Sequence, residues 1–421
     1  MIRTGLTILL TWMLATSAIE AQVDEPTICK QDAKAGEADI YVWQARNGDP
    51  EAQFMLSRFL AKGEGGMVCD SVEAFNWLLK AAEGGIVEAA WEVACQYLEG
   101  GMVEPDYILA EKWMEKAAEG GRAEAQCAMG ERLSAVTPPL MEEAAEWYAK
   151  AAAQNYPRAQ YLLALLYYEG RGVEQNDTLA VEWLRKAADG GVADAFYHLG
   201  ECHSYGRGVK EDLKEAVNCY RKAAEAGHCE AQVALATCYL YGKGVRVNCK
   251  EAKKWADKAA RQGDAEAQNI LGVCYTSKEC GKPNMKEAQK WFALAAAQKH
   301  PKGMYNEATC LLNGIGVAKN VKKAMELFEA AAQMGNLDAQ NKLAACYLLG
   351  EGAERDYEKA VNWAQISADQ GDPDGLFMLA SCYLGGYGVK KGVIIAIDLF
   401  KKAAEKGHAG AKDALKELGQ Q

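Results

Sequence analysis

The residues of this sequence that could do chemistry are, first of all, its histidines. There are five of them, at His198, His203, His228, His300 and His408. Glu201 and Cys202 lie between the first two. Because His198 and His203 are five residues apart, a helix would place them on different faces. No zinc-like cysteine spacing, nucleophile elbow or carboxylate pair stands out elsewhere. We therefore predict that the protein is not an enzyme and holds no metal and no cofactor.

The cysteines are the second group, and six of the fourteen form a regular series. The series recurs every 36 residues, at Cys202, Cys238, Cys274, Cys310, Cys346 and Cys382. Equivalent positions in stacked helices lie roughly 8–10 Å apart, which is too far for a disulfide. We predict that these six are small, buried core residues. For a disulfide we favour Cys202 with Cys219, although spacing alone does not determine the pairing.

A series of tryptophans could stack on sugars or on nucleic-acid bases. It recurs at Trp77, Trp113, Trp147, Trp183, Cys219, Trp255, Trp291, Leu327, Trp363 and Leu399. Alanines on both sides of each member would let a neighbouring helix approach closely, so we predict that the series fills core volume instead of binding a ligand. The recurring GRGV and GKGV loops are predicted to be turns, since they lack the Lys-Ser/Thr ending of a phosphate-binding loop.

These series belong to one repeat that fills most of the chain. A small residue opens one helix of each copy, at Ala52, Ala89, Ala125, Ala159, Ala195, Ala231, Ala267, Gly303, Ala339, Gly375 and Ala411. From Ala159 onward the step is always 36 residues. Such a period indicates a solenoid, whose units are too small to bury their own apolar faces and stack on one another. We predict an all-α fold of about ten helix-turn-helix repeats over residues 49–407.

Two repeats depart from the pattern. Repeat three contains SAVTPPLME, where Pro138 and Pro139 cannot continue a helix, and repeat seven has TSKECGKPN in place of YGKGV. We expect the curvature of the array to change at both places.

The first residues, MIRTGLTILLTWMLATSAIEAQ, combine Arg3, an apolar run at residues 6–14 and small residues up to Ala21. This pattern is typical of a secretory signal peptide, and the run is short for a membrane span, although a retained anchor is the alternative. We predict a signal peptide at residues 1–21, export to the periplasm or the exterior, and no membrane span in the mature chain. Its net charge of −11 disfavours binding to nucleic acid or to an anionic bilayer.

The combination of EAQ, a leucine and a small residue, YxxGxGV, KA, Trp, KAA and Gly closely resembles the Sel1-like repeat, a relative of the tetratricopeptide repeat. The resemblance covers residues 49–407. Residues 22–48 resemble an N-terminal capping half-repeat, and residues 408–421 resemble a C-terminal capping helix. The resemblance implies a right-handed α/α superhelix that acts as a scaffold or adaptor for other proteins, frequently in exported or envelope-associated bacterial proteins. It does not name the partner.

In tetratricopeptide-like arrays the first helix of each repeat lines the concave face. Three rows of positions would face solvent there, at the second, sixth and ninth residues after the aligned small residue. Only Arg58, Glu131 and Glu201 of these thirty residues are charged. We predict a neutral, partly apolar groove that binds a peptide or helix of a protein partner. Its candidate binding residues are Phe54, Trp91, Tyr161, Tyr168, Tyr197, Tyr305 and Phe377.

An alternative is a groove that binds a glycan or the cell wall. Aromatic rings stack on sugars as well as on peptides, and the neutral side chains Asn269 and Asn341 in the second-residue row could hydrogen bond to hydroxyl groups. Free oligosaccharide should displace a glycan ligand and leave a peptide in place.

Overall fold

The computed structural model describes residues 35–419, and all regular structure in that range is α-helical, with 22 helices and no strands. The helices pack into two compact units. The first unit ends at Glu211, and the second begins at Asp212. The first unit contains α1 (Ala35–Arg46), α2 (Pro50–Lys62), α3 (Ser71–Glu83), α4 (Val87–Glu99), α5 (Tyr107–Glu119), α6 (Ala123–Ala135), α7 (Met141–Ala153), α8 (Pro157–Glu169), α9 (Asp177–Asp189) and α10 (Ala193–Tyr205).

The second unit contains α11 (Leu213–Glu225), α12 (Cys229–Tyr241), α13 (Cys249–Arg261), α14 (Ala265–Thr276), α15 (Met285–Ala297), α16 (Pro301–Asn313), α17 (Val321–Gln333), α18 (Leu337–Leu349), α19 (Tyr357–Asp369), α20 (Pro373–Gly385), α21 (Val393–Glu405) and α22 (Ala409–Glu417). Within each unit, consecutive helices pack against each other. This arrangement confirms the predicted all-α repeat architecture.

The ends of the chain bear on three predictions. The predicted signal peptide, residues 1–21, and residues 22–34 of the predicted half-repeat lie outside the described residues. Helix α22 falls within the predicted C-terminal capping segment. None of the helices between residues 35 and 419 is both long and apolar enough to cross a bilayer.

Local sequence signals set where the helices begin and end. Most second helices of the repeats begin at an Asp or Asn whose side chain accepts a hydrogen bond from the backbone of the first turn, as Asp212 does from Lys214 and Glu215. Many first helices end at a glycine in the left-handed conformation, such as Gly242 with φ 72°. The glycine loops are therefore turns, as predicted.

The core consists largely of alanines and the cysteine series. All six cysteines of the 36-residue series are buried, which confirms that prediction. The predicted disulfide between Cys202 and Cys219 is wrong, because both residues are thiols. The structure instead joins Cys249 to Cys280, 31 residues apart.

This disulfide replaces a close backbone contact found in other repeats. The second glycine of the GKGV turn packs on the first residue of an earlier helix, so a Cβ added at Gly244 would overlap the carbonyl oxygen of Leu213. Gly316 stands in the same relation to Met285, also 31 residues earlier. Cys280 occupies the glycine position of the irregular seventh repeat, and Cys249 is the first residue of α13. A covalent bond therefore links the two points that touch elsewhere.

The prediction that the tryptophan series fills the core is only partly correct. Trp113, Cys219 and Trp255 are buried, whereas the other members are half-buried. A lysine three residues later lies over five of the rings at 3.8–4.3 Å from the centroid, in the pairs Lys80–Trp77, Lys116–Trp113, Lys150–Trp147, Lys186–Trp183 and Lys258–Trp255. Each of these rings therefore packs on the core and also makes a cation–π contact with a lysine ammonium group.

A chain of glutamine hydrogen bonds links successive repeats. The Nε2 of Gln232 donates to the Ala224 carbonyl oxygen at 3.1 Å, and the Nε2 of Gln262 donates to the Gln232 Oε1 at 2.9 Å. The same pattern recurs at Gln268 with Gln298, 36 residues later. The glutamine of the EAQ motif is therefore a buried bridge between helices.

Replacing Gln232 with leucine is expected to lower the free energy of unfolding by about 1–3 kcal/mol, because it removes two hydrogen bonds from a buried site. Chemical denaturation followed by circular dichroism measures this loss. The control variant Lys250→Gln, at an exposed position on α13, should stay within about 0.5 kcal/mol of the natural chain. Equal stability of Gln232→Leu and the natural chain would contradict the bridging role.

Candidate functional site

The seven predicted binding residues all lie on first helices of the repeats, as expected, but none is exposed. Phe54 and Tyr161 are buried, with 8% and 9% of their surfaces accessible. The other five, Trp91, Tyr168, Tyr197, Tyr305 and Phe377, are half-buried. The expectation that these seven side chains face solvent freely is therefore wrong. The rings pack on neighbouring repeats and leave only part of their surface to a ligand.

Three of the seven residues come together in the first unit around a histidine. The ring centroids of Tyr161, Tyr168 and Tyr197 lie 5.8, 6.4 and 5.4 Å from that of His198. We call these four residues the His198 cluster. The two helices that carry them, α8 and α10, present aromatic side chains from adjacent repeats on one surface. The prediction missed His198, although its place directly after Tyr197 could have indicated it.

An arginine covers one side of the cluster. The Arg207 guanidinium lies 3.4 Å from the centroid of the Tyr168 ring, and its Nη2 donates to the Tyr168 carbonyl oxygen at 2.6 Å. The same side chain pairs with the Asp177 carboxylate, with Nε 2.9 Å from Oδ1. The positive charge is thereby balanced within the chain, and the ring is held in place from one face.

The acidic groups near the cluster are also engaged. Glu131 Oε1 lies 3.0 Å from Arg158 Nε, and both side chains are mostly shielded from solvent. Burial raises the pKa of the Glu201 carboxyl, while a hydrogen bond from Tyr197 acts in the opposite direction. Burial also raises the pKa of Tyr161 to about 12, so its hydroxyl is neutral at pH 7. The cluster is therefore an aromatic surface with phenol groups that can hydrogen bond, and the nearby acidic side chains Asp194 and Glu169 also act to raise the pKa of Tyr161.

A separate cavity of about 170 Å³ lies near the start of the first unit. Part of its lining comes from the predicted solvent-facing rows: Arg58 and Cys95 are sixth residues after the aligned small residue, and Ala61 is a ninth residue. Arg58 also lies over the Phe54 ring, 5.1 Å from its centroid, and its Nη2 is 3.5 Å from the Glu92 Oε1. The predicted rows therefore do form a concave feature here, but a small one that is lined by a paired charge.

The predicted residues of the second unit pack on other side chains of that unit. The Tyr305 ring lies 5.7 Å from that of Phe328, and the Phe377 ring stacks on His408 at 4.3 Å. These contacts involve different partners and do not form a cluster like that around His198. Tyr305 and Phe377 are therefore separate aromatic positions.

The two asparagines proposed for glycan binding hydrogen bond within the chain. Asn269 Oδ1 accepts a bond of 2.8 Å from Asn306 Nδ2, and Asn341 Nδ2 donates one of 2.8 Å to Asp372 Oδ2. Asn269 is also buried. Their amides are less available to a ligand than the sequence indicated.

Packed helix pairs with a common sequence register define an all-helical repeat protein. The profile of the Sel1 repeat matches ten consecutive segments, at residues 50–86, 87–121, 123–156, 157–192, 193–228, 229–264, 265–300, 301–336, 337–372 and 373–408. The chain therefore belongs to the Sel1 repeat family, as the resemblance indicated. Sel1 repeat proteins are generally protein-interaction scaffolds.

Solved structures with the same fold include two bacterial proteins. One is c5321, described as a protective antigen present in uropathogenic Escherichia coli strains and displaying an SLR fold. It is 31% identical, with a TM-score of 0.76 over 90% of this chain and 82% of c5321. A Sel1 repeat protein from Oxalobacter formigenes is 30% identical, with a TM-score of 0.54 over 57% of this chain and 96% of that protein.

One curated relative matches over a shorter stretch. It is the uncharacterized protein NMB1327 of Neisseria meningitidis serogroup B, 28% identical over 137 residues. The match covers 32% of this chain and only 28% of the Neisseria protein.

Proposed function

We propose that the protein is an exported scaffold that binds a peptide or helix of another protein, with the His198 cluster as its main anchor. The observation that carries this proposal is the convergence of Tyr161, Tyr168 and Tyr197 on one imidazole. Tyrosines offer a large contact area and a hydroxyl group, and they are frequent among residues that dominate binding energy.

The charge pattern of the cluster supports an apolar or aromatic side chain of the partner as the ligand group. Arg207 and Arg158 are paired with Asp177 and Glu131. A charged ligand group would have to compete with these pairs. An apolar group would instead gain contact with partly exposed rings, which binding removes from water.

Export is part of the proposal. Its support is the signal-peptide pattern of residues 1–21.

Affinity capture from the native extract tests the proposal. The mature chain should retain a protein that the variant Tyr161→Ala/Tyr197→Ala does not retain. Circular dichroism must show that both chains are folded. The control Tyr205→Ala/Tyr241→Ala removes two exposed tyrosines and should retain the protein. Release of the ligand by free oligosaccharide would instead favour the glycan alternative, and equal retention by both variants would contradict the role of the cluster.

A further inference from the structure

Three cysteine sulfurs meet at one place in the second unit. Cys249, Cys274 and Cys280 are buried, and their Sγ atoms all lie within 4.8 Å of one another. Two of them, Cys249 and Cys280, form the disulfide, and Cys274 is a thiol. A thiol of the regular cysteine series thus lies against a disulfide.

The fold explains why the three residues meet. Cys249 is the first residue of α13, and Cys274 lies in the last turns of α14, which packs against α13. Cys280 lies in the irregular turn between α14 and α15, where other repeats have a glycine. Cys310, one period after Cys274, has the regular turn with Gly316 beyond it. The three sulfurs therefore meet because the seventh repeat has Cys280 where other repeats have a glycine in the turn.

We propose that these residues form a thiol–disulfide exchange site, in which Cys274 displaces Cys249 from its bond with Cys280. The Cys274 thiol first gives its proton to hydroxide. The thiolate attacks Cys280 Sγ, the Cys274–Cys280 bond forms, and the Cys249–Cys280 bond breaks. The electron pair leaves with Cys249 Sγ, which takes up a proton from water. One disulfide and one thiol exist before and after, so no oxidant or reductant is needed.

Two features of the site favour this direction of attack. The leaving sulfur of Cys249 lies at the first residue of α13, where the helix N-terminus stabilises a thiolate. The attacked residue, Cys280, lies in a turn, and its backbone can adjust more readily than a residue inside a packed helix. The exchange would release the start of α13 from the turn and tie that turn to α14 instead.

The rate of exchange should depend steeply on pH. Burial raises the pKa of the Cys274 thiol to about 11, and the charge of Lys253 on α13 acts in the opposite direction. The thiolate fraction, and with it the rate, should therefore rise about tenfold per pH unit below that pKa. The exchange is slow at pH 7 and much faster at pH 9.

Disulfide mapping by mass spectrometry on the oxidised full chain tests the proposal. Samples held at pH 7, 8 and 9 are quenched with acid, and their thiols are trapped with a maleimide during denaturation. A peptide linking Cys274 to Cys280 should form about tenfold faster per pH unit in the natural chain and in the control Cys310→Ser. The same peptide should be absent from Cys274→Ser. Its absence from the natural chain at every pH would overturn the proposal.

A second variant tests whether Cys274 and Cys280 lie close enough to form a disulfide, independently of the exchange rate. Cys249→Ser, shown to be folded by circular dichroism, is incubated with oxidised glutathione as the two-electron oxidant. Cys274 and Cys280 should then form a disulfide with each other. Glutathione adducts on Cys280, two remaining thiols, or bonds from Cys280 to Cys238 or Cys310 in comparable amounts would each contradict the exchange site.

Discussion

Replacing Tyr161 and Tyr197 together with alanine is expected to weaken binding of the captured partner by about 100-fold or more. Truncation of an aromatic anchor residue commonly costs at least about 2 kcal/mol, and the effects of neighbouring anchors do not add fully. Both rings contact His198, from α8 and from α10. Their loss would remove the aromatic surface that the two repeats form together. Isothermal titration calorimetry with the purified partner measures the change.

Because Tyr161 is buried, the alanine variant could also lose stability. The matched variant Tyr161→Phe/Tyr197→Phe keeps both rings and removes only the hydroxyls. We expect its affinity to stay within about tenfold of the natural chain, because the Tyr197 hydroxyl already bonds to Glu201 and two hydrogen bonds near the lower end of about 0.5–1.5 kcal/mol each give a loss of that size. Equal affinity of the alanine variant and the natural chain would exclude the His198 cluster as the anchor.

Removing the disulfide with Cys249→Ser/Cys280→Ser is expected to lower the stability of the second unit by about 3 kcal/mol. The two cysteines are 31 residues apart, and closing a loop of this length restricts the unfolded chain by about 3.7 kcal/mol, of which native-state strain can offset a part. The loss should be largest near α13 and α14, because each repeat of a solenoid is stabilised mainly by its neighbours. Thermal unfolding and amide hydrogen exchange measure the global and the local change.

Reduction of the natural chain provides the control for this prediction. A dithiol reductant should lower the midpoint of the natural chain to that of the serine variant and leave the variant unchanged. The exposed Cys69 can be replaced with serine as a further control, with no effect expected. Identical unfolding of the natural and variant chains without reductant would contradict a stabilising disulfide.

The sequence predicted the repeat architecture well because the information repeats. The same alanine or cysteine appears in one register after another, and a position that must be small in ten copies cannot easily be misread. The cysteine series is buried as expected. The glycine turns are likewise identified by their recurrence.

The burial of the aromatic side chains could not be predicted from the sequence, because it depends on contacts between repeats. Tyr161 is buried by side chains that include His198, 37 residues later in the chain. The spacing within one helix tells which way a side chain points but not how large its neighbour in the next repeat is. Trp77 and Trp147 differ in the opposite direction: they are predicted core residues, but they are only half-buried, and the lysine three residues later covers each ring from outside the core.

The predicted pair, Cys202 with Cys219, lies within one repeat, whereas the disulfide of the structure joins two repeats. The informative comparison runs between repeats, where the glycine of a turn touches the first residue of a helix 31 positions earlier, as Gly244 touches Leu213. Cys280 and Cys249 occupy these two registers. A substitution of both contacting positions by cysteine is a signal that the sequence does contain.

Site-specific photo-crosslinking of the partner shows directly which face of the repeats it binds. A benzophenone side chain is placed at Ser204, in the ninth row on α10, and in a second chain at Glu182, which is exposed on α9. Binding near the His198 cluster predicts a crosslink to the partner from position 204 and none from position 182. A crosslink from position 182 alone would contradict the account and assign binding to another face of the repeats.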